Sequence, residues 1–188
     1  MYLYVFTGQD DRKKTGGHSD DIIRKSLGLY IRDNHLPSQG AQEILKTEAG
    51  KPYFRESDLY FSVSHTGSLC ACLIGTQRVG LDMQQIRRTR TVSIAERYFS
   101  DSEIEYIEKN GDEGFFDIWV RKEAYVKFLG TTLAKGISKY DTVYDGRLRE
   151  YIGEGTVRAF IENVDVGSGL KCACASVSKE RICLKKIT

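Results

Sequence analysis

The chain has 188 residues, of which 28 are Lys or Arg and 26 are Asp or Glu, a formal net charge of +2. This balance lacks the basic excess typical of a dedicated nucleic-acid binder, so no nucleic-acid partner is expected. Hydrophobic residues make up 40% of the chain, and no stretch has the roughly 18 apolar residues that a membrane span needs. The opening stretch MYLYVFTGQDD lacks the features of a signal peptide, which predicts a cytoplasmic protein with no membrane partner.

Periodicity predicts a mixed set of helices and strands. Apolar residues recur at helical spacing over 20–34, and they alternate strictly over 59–64 as in a half-buried strand. The later predicted helices are 92–98, 102–110 (capped by Ser100 or Asp101) and 115–129, and the later predicted strands are 156–164 and 170–177. Gly130 is expected to end the third of these helices. The order of elements favours an α+β fold with antiparallel sheets and packed helices.

Two segments of the chain resemble each other. Aligning Cys70-Ala71-Cys72 with Cys172-Ala173-Cys174 also aligns Gly67 with Gly169, and one inserted residue brings RVGLDM over RICLKK. Each copy is interpreted as a β-hairpin with a short polar turn. The repeat predicts two related halves, 1–79 and 80–188, in a pseudo-two-fold arrangement with a ligand cleft between them. Because the second half would supply the face of a partner subunit, a monomer is expected.

The five cysteines all lie in strand-like runs. They are interpreted as reduced core residues. A zinc site built from the two Cys-x-Cys pairs is the less favoured alternative, because common structural sites separate their cysteines by two residues.

The stretch WVRKEAYVK, residues 119–127, places Glu123 and Lys127 one helical turn apart. A solvated ion pair with this spacing contributes only about 0.2 to 0.5 kcal/mol, and most such pairs have no other role. Lys122 is different, because it falls inside the apolar arc of the helix and must either extend to solvent or face a buried anion. A phosphate ester against this face of the helix would explain the pairing of Glu123 with Lys127.

VGLDMQ, residues 79–84, is the second unusual stretch. A strand with Leu81 and Met83 on one face places Asp82 and Gln84 on the other, and Asp is rare in strands. Asp82 either faces water at a strand end or forms a site, and Gly80 would allow a ligand or backbone to approach closely. Together with Glu123, Asp82 would suit Mg²⁺, which binds one or two carboxylates, waters and phosphate oxygens.

Two weaker stretches precede it. SVSHTG, residues 62–67, ends a strand with the polar residues Ser64 and His65, and GKPYF begins with Gly50, Lys51 and Pro52 before the next strand. Each could equally be an ordinary turn or strand end.

Taken in order, these motifs resemble the Sfp-type 4'-phosphopantetheinyl transferase family. Its pattern is G-K-P, then S-x-S-H, then G-[IV]-D-[IV]-E, then W-x-x-K-E-[AS]-x-x-K. Here the four motifs read GKP (50–52), SVSH (62–65), GLDMQ (80–84) and WVRKEAYVK (119–127), and KGIS (135–138) resembles the segment that follows the family's helix. The family's two-fold architecture also resembles the internal repeat.

The resemblance implies transfer of the 4'-phosphopantetheine arm of coenzyme A to a serine of an apo acyl or peptidyl carrier protein, releasing adenosine 3',5'-bisphosphate. By resemblance, Mg²⁺ is bound by Asp82 and Glu123, and by Gln84 or a water where many relatives have a third acid. Glu123 is the implied base, while Lys127 and Lys122 are implied to stabilise phosphate charge. The implied coenzyme A contacts are Gly50, Lys51, Pro52, Ser64, His65 and Lys127. Candidates for the 3'-phosphate, by charge and location only, are Arg12, Lys13, Lys14, His18 and Arg24, and a solvated basic loop is the alternative for them.

Two other functions are compatible with some of these residues. A Mg²⁺-dependent nuclease usually places its Glu and Lys two residues apart on a strand, whereas Glu123 and Lys127 have helical spacing. A degenerate coenzyme A or carrier-protein binding module, with turnover lost through Gln84, is the non-catalytic alternative.

Overall fold

The computed structural model describes residues 1–8, 17–37, 42–87 and 91–188. The strands are β1 (Tyr2–Phe6), β2 (Ile44–Lys46), β3 (Pro52–Phe54), β4 (Tyr60–Thr66), β5 (Leu69–Gly75), β6 (Val79–Gln85), β7 (Val143–Tyr144), β8 (Arg147–Leu148), β9 (Tyr151–Ile152), β10 (Ala159–Asn163), β11 (Leu170–Ser176) and β12 (Cys183–Ile187). The helices are α1 (Gly17–Asp33), α2 (Thr91–Tyr98), α3 (Asp101–Leu129) and α4 (Leu133–Gly136), and a 3-10 turn covers Gly155–Val157. Within these ranges no helix is long and apolar enough to cross a membrane.

Two four-stranded sheets form the framework of the fold. The first sheet has the order β12-β1-β5-β4 and the second has the order β6-β11-β10-β9. Neighbouring strands are antiparallel except for β1 and β12, which run parallel with Tyr2 opposite Cys183. The predicted α+β class with antiparallel sheets is therefore confirmed, with this one parallel pair as the exception.

The buried side chains fall into layers between these elements. The first sheet packs one face on α1, the two sheets pack on each other, and the second sheet packs its other face on α3. The predicted core cysteines take part, since Cys70 and Cys72 lie in the first layer and Cys172 and Cys174 lie between the sheets. The layer between the second sheet and α3 brings Asp82 and Glu123 near each other, because Asp82 lies on β6 and Glu123 lies on α3.

The predicted hairpins are wrong. β5 pairs with β1 on one edge and with β4 on the other, so no edge is left for β6. β11 in turn pairs with β6 and β10, so β12 pairs with β1 instead. In both repeated segments the turn thus carries the chain from one sheet to the other, because a strand has only two edges for hydrogen bonding.

A ladder of side-chain hydroxyls joins the two sheets where β4 and β6 run side by side. The hydroxyl oxygens of Ser62, Ser64 and Thr66 accept hydrogen bonds from the backbone N–H groups of Leu81, Met83 and Gln85 at 3.0, 3.1 and 3.1 Å. Because side chains alternate along a strand, every second residue of β4 faces β6. These bonds satisfy N–H groups on the edge of β6 that does not face β11.

We expect removal of the Ser62 hydroxyl, at the buried end of this ladder, to destabilise the fold more than removal of the Thr66 hydroxyl at the exposed end. Ser62→Ala leaves the Leu81 N–H buried without an acceptor, which costs about 1 to 3 kcal/mol. Thr66→Val leaves the N–H of the exposed Gln85 free to bind water, so its cost should be smaller. Urea unfolding of the two variants measures the difference, and an equal loss at both positions would contradict this account.

Helix α3 contains the two helices that the sequence predicts. Its backbone is non-helical at Gly111, with φ 62° and ψ −148°, between the predicted segments 102–110 and 115–129. The helix begins at Ser100, whose backbone N–H donates to the carboxylate of Glu103 at 3.1 Å. It ends at Gly130 in the left-handed conformation, as predicted.

Gly80 allows α3 to lie directly against β6. A Cβ at this position would lie 2.0 Å from the carbonyl oxygen of Ala124 and 2.5 Å from the backbone nitrogen of Phe128. The sequence suggested that either a ligand or a backbone segment approaches Gly80. In the structure it is the backbone of α3. This contact sets the distance between the strand that carries Asp82 and the helix that carries Glu123.

Candidate active site

Asp82 is a buried carboxylate in the middle of β6. Its side chain is only 1% exposed, which excludes the water-facing alternative. The Ser64 hydroxyl donates to Oδ1 at 2.8 Å, and the Gln84 amide donates to Oδ2 at 3.1 Å. Leu81 and Met83 point the other way, into the layer between the sheets, as the alternation predicts.

Glu123 lies on the face of α3 that is turned towards Asp82. Burial, followed by the nearby Asp82 carboxylate, raises the pKa of Glu123 to about 7, against the opposing effects of Lys127 and of a hydrogen bond from Trp119. The Trp119 ring is fixed by stacking on Phe115, with ring centroids 5.8 Å apart. A carboxylate with a pKa near neutrality is suited to accept a proton at physiological pH.

Lys127 links the two carboxylates. Its Nζ lies 2.7 Å from Asp82 Oδ1 and 4.0 Å from Glu123 Oε2, and its side chain is 30% exposed. Glu123 and Lys127 are therefore not a simple solvated pair, because the shorter ion pair of Lys127 is with the buried Asp82. The three groups form one cluster, which we call the carboxylate cluster.

The carboxylate cluster fits a small divalent cation. Two carboxylates lie close enough for Asp82 to raise the pKa of Glu123, and a cation between them would offset that repulsion. Gln84 presents its amide to the same carboxylate, and a half-turn of the amide would offer its oxygen as a ligand. In the described part of the chain no three His, Cys, Asp or Glu side chains come together, so phosphate oxygens or water would have to complete the coordination.

Lys51 lies at the end of α3, beside the carboxylate cluster. Its Nζ donates to the carbonyl oxygens of Val79 and Lys127 at 3.0 and 2.5 Å. Burial, with help from Arg78 and Lys127, lowers the pKa of Lys51 to about 8. Gly50 precedes it with a positive φ of 83°, and Pro52 begins β3. Lys51, Arg78 and Lys127 thus bring positive charge together at the end of α3, an arrangement that suits phosphate groups.

Ser64 and His65 point in different directions. Ser64 is buried and is held by Asp82 and by the N–H of Met83. His65 is exposed and, as the next residue of a strand, lies on the opposite face. The structure therefore brings Ser64 into the carboxylate cluster but not His65.

Lys122 lies away from the carboxylate cluster, in a buried ion pair. Its Nζ is 2.9 Å from Glu103 Oε2 and donates to the carbonyl oxygens of Ile137 and Tyr140 at 2.9 and 2.8 Å. Lys122 was expected either to extend to solvent or to face a buried anion. The structure shows the buried anion, which is Glu103. An ammonium has three hydrogens to donate, so this geometry favours a structural role for Lys122 over contact with a phosphate.

The role of Lys122 can be tested by removing first one charge and then both. We expect Lys122→Met to cost about 3 to 5 kcal/mol, because it leaves the Glu103 carboxylate buried without a cation. The double variant Lys122→Met/Glu103→Gln should recover much of that loss in urea unfolding. Where the double variant is folded, a wild-type rate of the transfer reaction that the sequence motifs imply supports the structural role, and a rate about 100-fold lower would support the catalytic one.

Several residues of interest fall outside this cluster. Arg12, Lys13, Lys14 and the side chains of His18 and Lys135 lie outside the described part of the structure, while Arg24 donates to the carbonyl oxygen of Gln42 at 3.1 Å. The sequence analysis missed Glu103 as the partner of Lys122. The spacing S-x-x-E from Ser100 to Glu103, which predicts a capping carboxylate, was the available signal.

Comparison with known proteins identifies a family that shares the segment carrying this site. Residues 78–166, which include Asp82, Glu123 and Lys127, match the family model of the 4'-phosphopantetheinyl transferase superfamily. The 4'-phosphopantetheinyl transferase gsp of Aneurinibacillus migulanus is 26% identical over 168 residues, covering 83% of this chain and 65% of the relative. The 4'-phosphopantetheinyl transferase HetI of Nostoc sp. is 34% identical over 134 residues, covering 66% and 54%. The 4'-phosphopantetheinyl transferase AcpT of Escherichia coli O157:H7 is 36% identical over 113 residues, covering 56% and 57%.

These matches confirm the family that the motifs indicated. With two neighbouring carboxylates and the ammonium of Lys127 in the matched segment, residues 78–166 of the chain belong to the 4'-phosphopantetheinyl transferase superfamily. The chain spans about half to two-thirds of the length of these relatives. The motifs at 50–52 and 62–65 lie outside the residues that the family model matches.

Proposed function

We propose that this protein transfers the 4'-phosphopantetheine arm of coenzyme A to a serine of an apo acyl or peptidyl carrier protein, with Mg²⁺, and releases adenosine 3',5'-bisphosphate. The observation that carries this proposal is the carboxylate cluster, in which Asp82 and Glu123 share the ammonium of Lys127. Family membership supplies the reaction class, and the cluster supplies groups that suit it.

Asp82, Glu123 and the oxygen of Gln84 are the residues that would hold Mg²⁺. When bound, Mg²⁺ would neutralise charge on the pyrophosphate of coenzyme A as the phosphoanhydride breaks. Ser64 would keep the Asp82 carboxylate in position through its 2.8 Å hydrogen bond. Burial of Asp82 at 1% exposure excludes water from that side of the site.

Glu123 is the proposed base. In the reaction, the serine oxygen of the carrier forms a bond to the phosphorus that bears the pantetheine arm, and the bond from that phosphorus to the bridging oxygen breaks. The serine proton passes to the carboxylate of Glu123, which acts as the general base, directly or through a water. Lys127 would stabilise the charge on the departing phosphate.

The remaining proposals concern binding and organisation. Gly50, Lys51, Pro52 and His65 are proposed to contact coenzyme A, with Lys51 closest to the cluster. We propose two related halves, 1–79 and 80–188, in a pseudo-two-fold arrangement, supported by the exchange of β6 and β12 between the sheets. A monomer in the cytoplasm, with no nucleic-acid or membrane partner, completes the proposal.

The test is the intact mass of an apo carrier protein after incubation with this protein, coenzyme A and Mg²⁺. A gain equal to one phosphopantetheine on the carrier, abolished by a chelator and restored by added Mg²⁺, supports the transferase. Absence of any gain with fatty-acid, polyketide and peptide carriers would contradict it.

The non-catalytic alternative rests on Gln84, whose amide donates to Asp82 where an acidic side chain would repel it. Coenzyme A binding without transfer by the wild type, together with transfer by Gln84→Glu, would identify a degenerate binding module. Equal or lower transfer by Gln84→Glu than by the wild type would exclude that interpretation.

A further inference from the structure

Lys127 occupies a position between two carboxylates that a divalent cation would also seek. Its ammonium is within 2.7 Å of Asp82 Oδ1 and 4.0 Å of Glu123 Oε2. The cluster therefore contains a cation of its own, supplied by the chain. Any metal ion that binds Asp82 and Glu123 has to compete with this ammonium for their negative charge.

Lys127 is also the partner of Asp82 that can leave. Asp82 accepts three hydrogen bonds, from Ser64, Gln84 and Lys127. Ser64 is fixed by a second hydrogen bond from Met83 and is buried, and Gln84 carries no charge. The Lys127 side chain is 30% exposed, so its ammonium can move towards solvent.

The surroundings of Lys127 determine what would receive the displaced ammonium. Lys51 reaches the backbone oxygen of Lys127 at 2.5 Å, and Arg78 lies over the ring of Phe128 at 4.3 Å. An ammonium that leaves Asp82 thus remains close to Lys51, which Arg78 also approaches, and this is unfavourable until an anion arrives. A phosphate ester would supply that anion to all three cations at once.

We propose that Lys127 is an internal counter-cation of the carboxylate cluster, which divalent metal displaces and the phosphates of coenzyme A receive, so that the two ligands bind cooperatively. Metal binding frees Lys127 for the phosphates, and phosphate binding withdraws Lys127 from Asp82. Linkage requires each ligand to raise the affinity for the other by the same factor. The inference rests on the proposed function and adds to it a coupling between the binding of its two ligands.

The experiment is a titration with Mn²⁺, followed by electron paramagnetic resonance of the free ion, with and without saturating coenzyme A. Binding of Mn²⁺ to coenzyme A itself is measured without protein and subtracted. For the wild type we expect weak Mn²⁺ binding that strengthens about 10-fold or more with coenzyme A. Lys127→Met and Lys127→Gln, which both remove the charge, should bind Mn²⁺ alone about 10-fold more tightly than the wild type and should show a smaller enhancement by coenzyme A.

Lys109→Met is the matched control, because Lys109 is an exposed lysine of the same helix. It should reproduce the Mn²⁺ affinity of the wild type, and circular dichroism confirms that each variant is folded. Mn²⁺ affinity in both folded Lys127 variants that is equal to or weaker than that of the wild type would overturn the inference. If the wild type modifies no carrier while both variants still tighten Mn²⁺ binding, the proposed function fails and the competition by Lys127 stands.

Discussion

Glu123→Gln should reduce the rate of phosphopantetheine transfer by about 1,000-fold, because it removes the proposed base while keeping the shape of the side chain. The same change should leave the protein as stable as before, or more stable. Glu123 is a partly buried carboxylate whose pKa is raised to about 7, first by desolvation and then by Asp82, so a neutral amide relieves both unfavourable effects. A large loss of activity without a loss of stability would separate a catalytic role from a structural one.

The rate is measured as the appearance of holo carrier by mass spectrometry, and stability is measured by thermal unfolding without added metal. Glu113→Gln serves as the control, because Glu113 lies on the same helix, its side chain is 70% exposed, and it pairs with Lys171 at 3.3 Å at the surface. We expect that control to retain the wild-type rate. A Glu123→Gln variant with more than about a tenth of the wild-type rate would refute Glu123 as the base, since general-base catalysis contributes more than that.

Gly80→Ala should destabilise the fold by about 3 kcal/mol or more, which lowers the melting temperature by about 10 °C in a chain of this size. The added methyl group meets the carbonyl oxygen of Ala124 at 2.0 Å and the nitrogen of Phe128 at 2.5 Å. Both are backbone atoms of α3, so no side-chain rotation relieves the overlap. The helix has to move away from β6, which also separates Glu123 from Asp82.

Gly28→Ala is the matched control for this substitution. Gly28 is an exposed position within α1, and a Cβ there meets no atom within 4 Å. We expect this variant to be stabilised by up to about 1 kcal/mol, the ordinary difference between Ala and Gly in a helix. Similar melting temperatures for the two variants would show that the close approach of α3 to Gly80 does not limit the stability of the fold.

The sequence predicts those parts of the site that depend on local periodicity. Alternation along 79–84 places Asp82 opposite Leu81 and Met83, and helical spacing places Glu123 and Lys127 on one face. Both arrangements are found, because burial of the apolar neighbours fixes the direction of the polar side chains. The apolar arc of α3 likewise predicts that Lys122 either extends to solvent or faces a buried anion, and in the structure it faces the buried Glu103.

The parts that sequence does not predict depend on contacts distant along the chain. The segments RVGLDM and RICLKK look like second strands of hairpins, yet each pairs in the other sheet, because β5 and β11 already use both edges. Nothing in the local pattern of residues 79–84 indicates which strand will lie beside them. For the same reason, periodicity identifies Lys127 as a neighbour of Glu123 but not as the closer partner of Asp82.

The exchange of strands between the sheets has a consequence for how the protein folds. β1 lies between β5 and β12, so the first sheet joins residues from opposite ends of the sequence, with Tyr2 opposite Cys183. Closing so long a loop has to precede any gain from the contacts that it creates, which makes folding slow. During synthesis from the N-terminus, the edge of β1 that receives β12 stays open until the last strand has been made. Until then it can pair with other chains, so a binding partner or chaperone that covers that edge should raise the yield of folded protein.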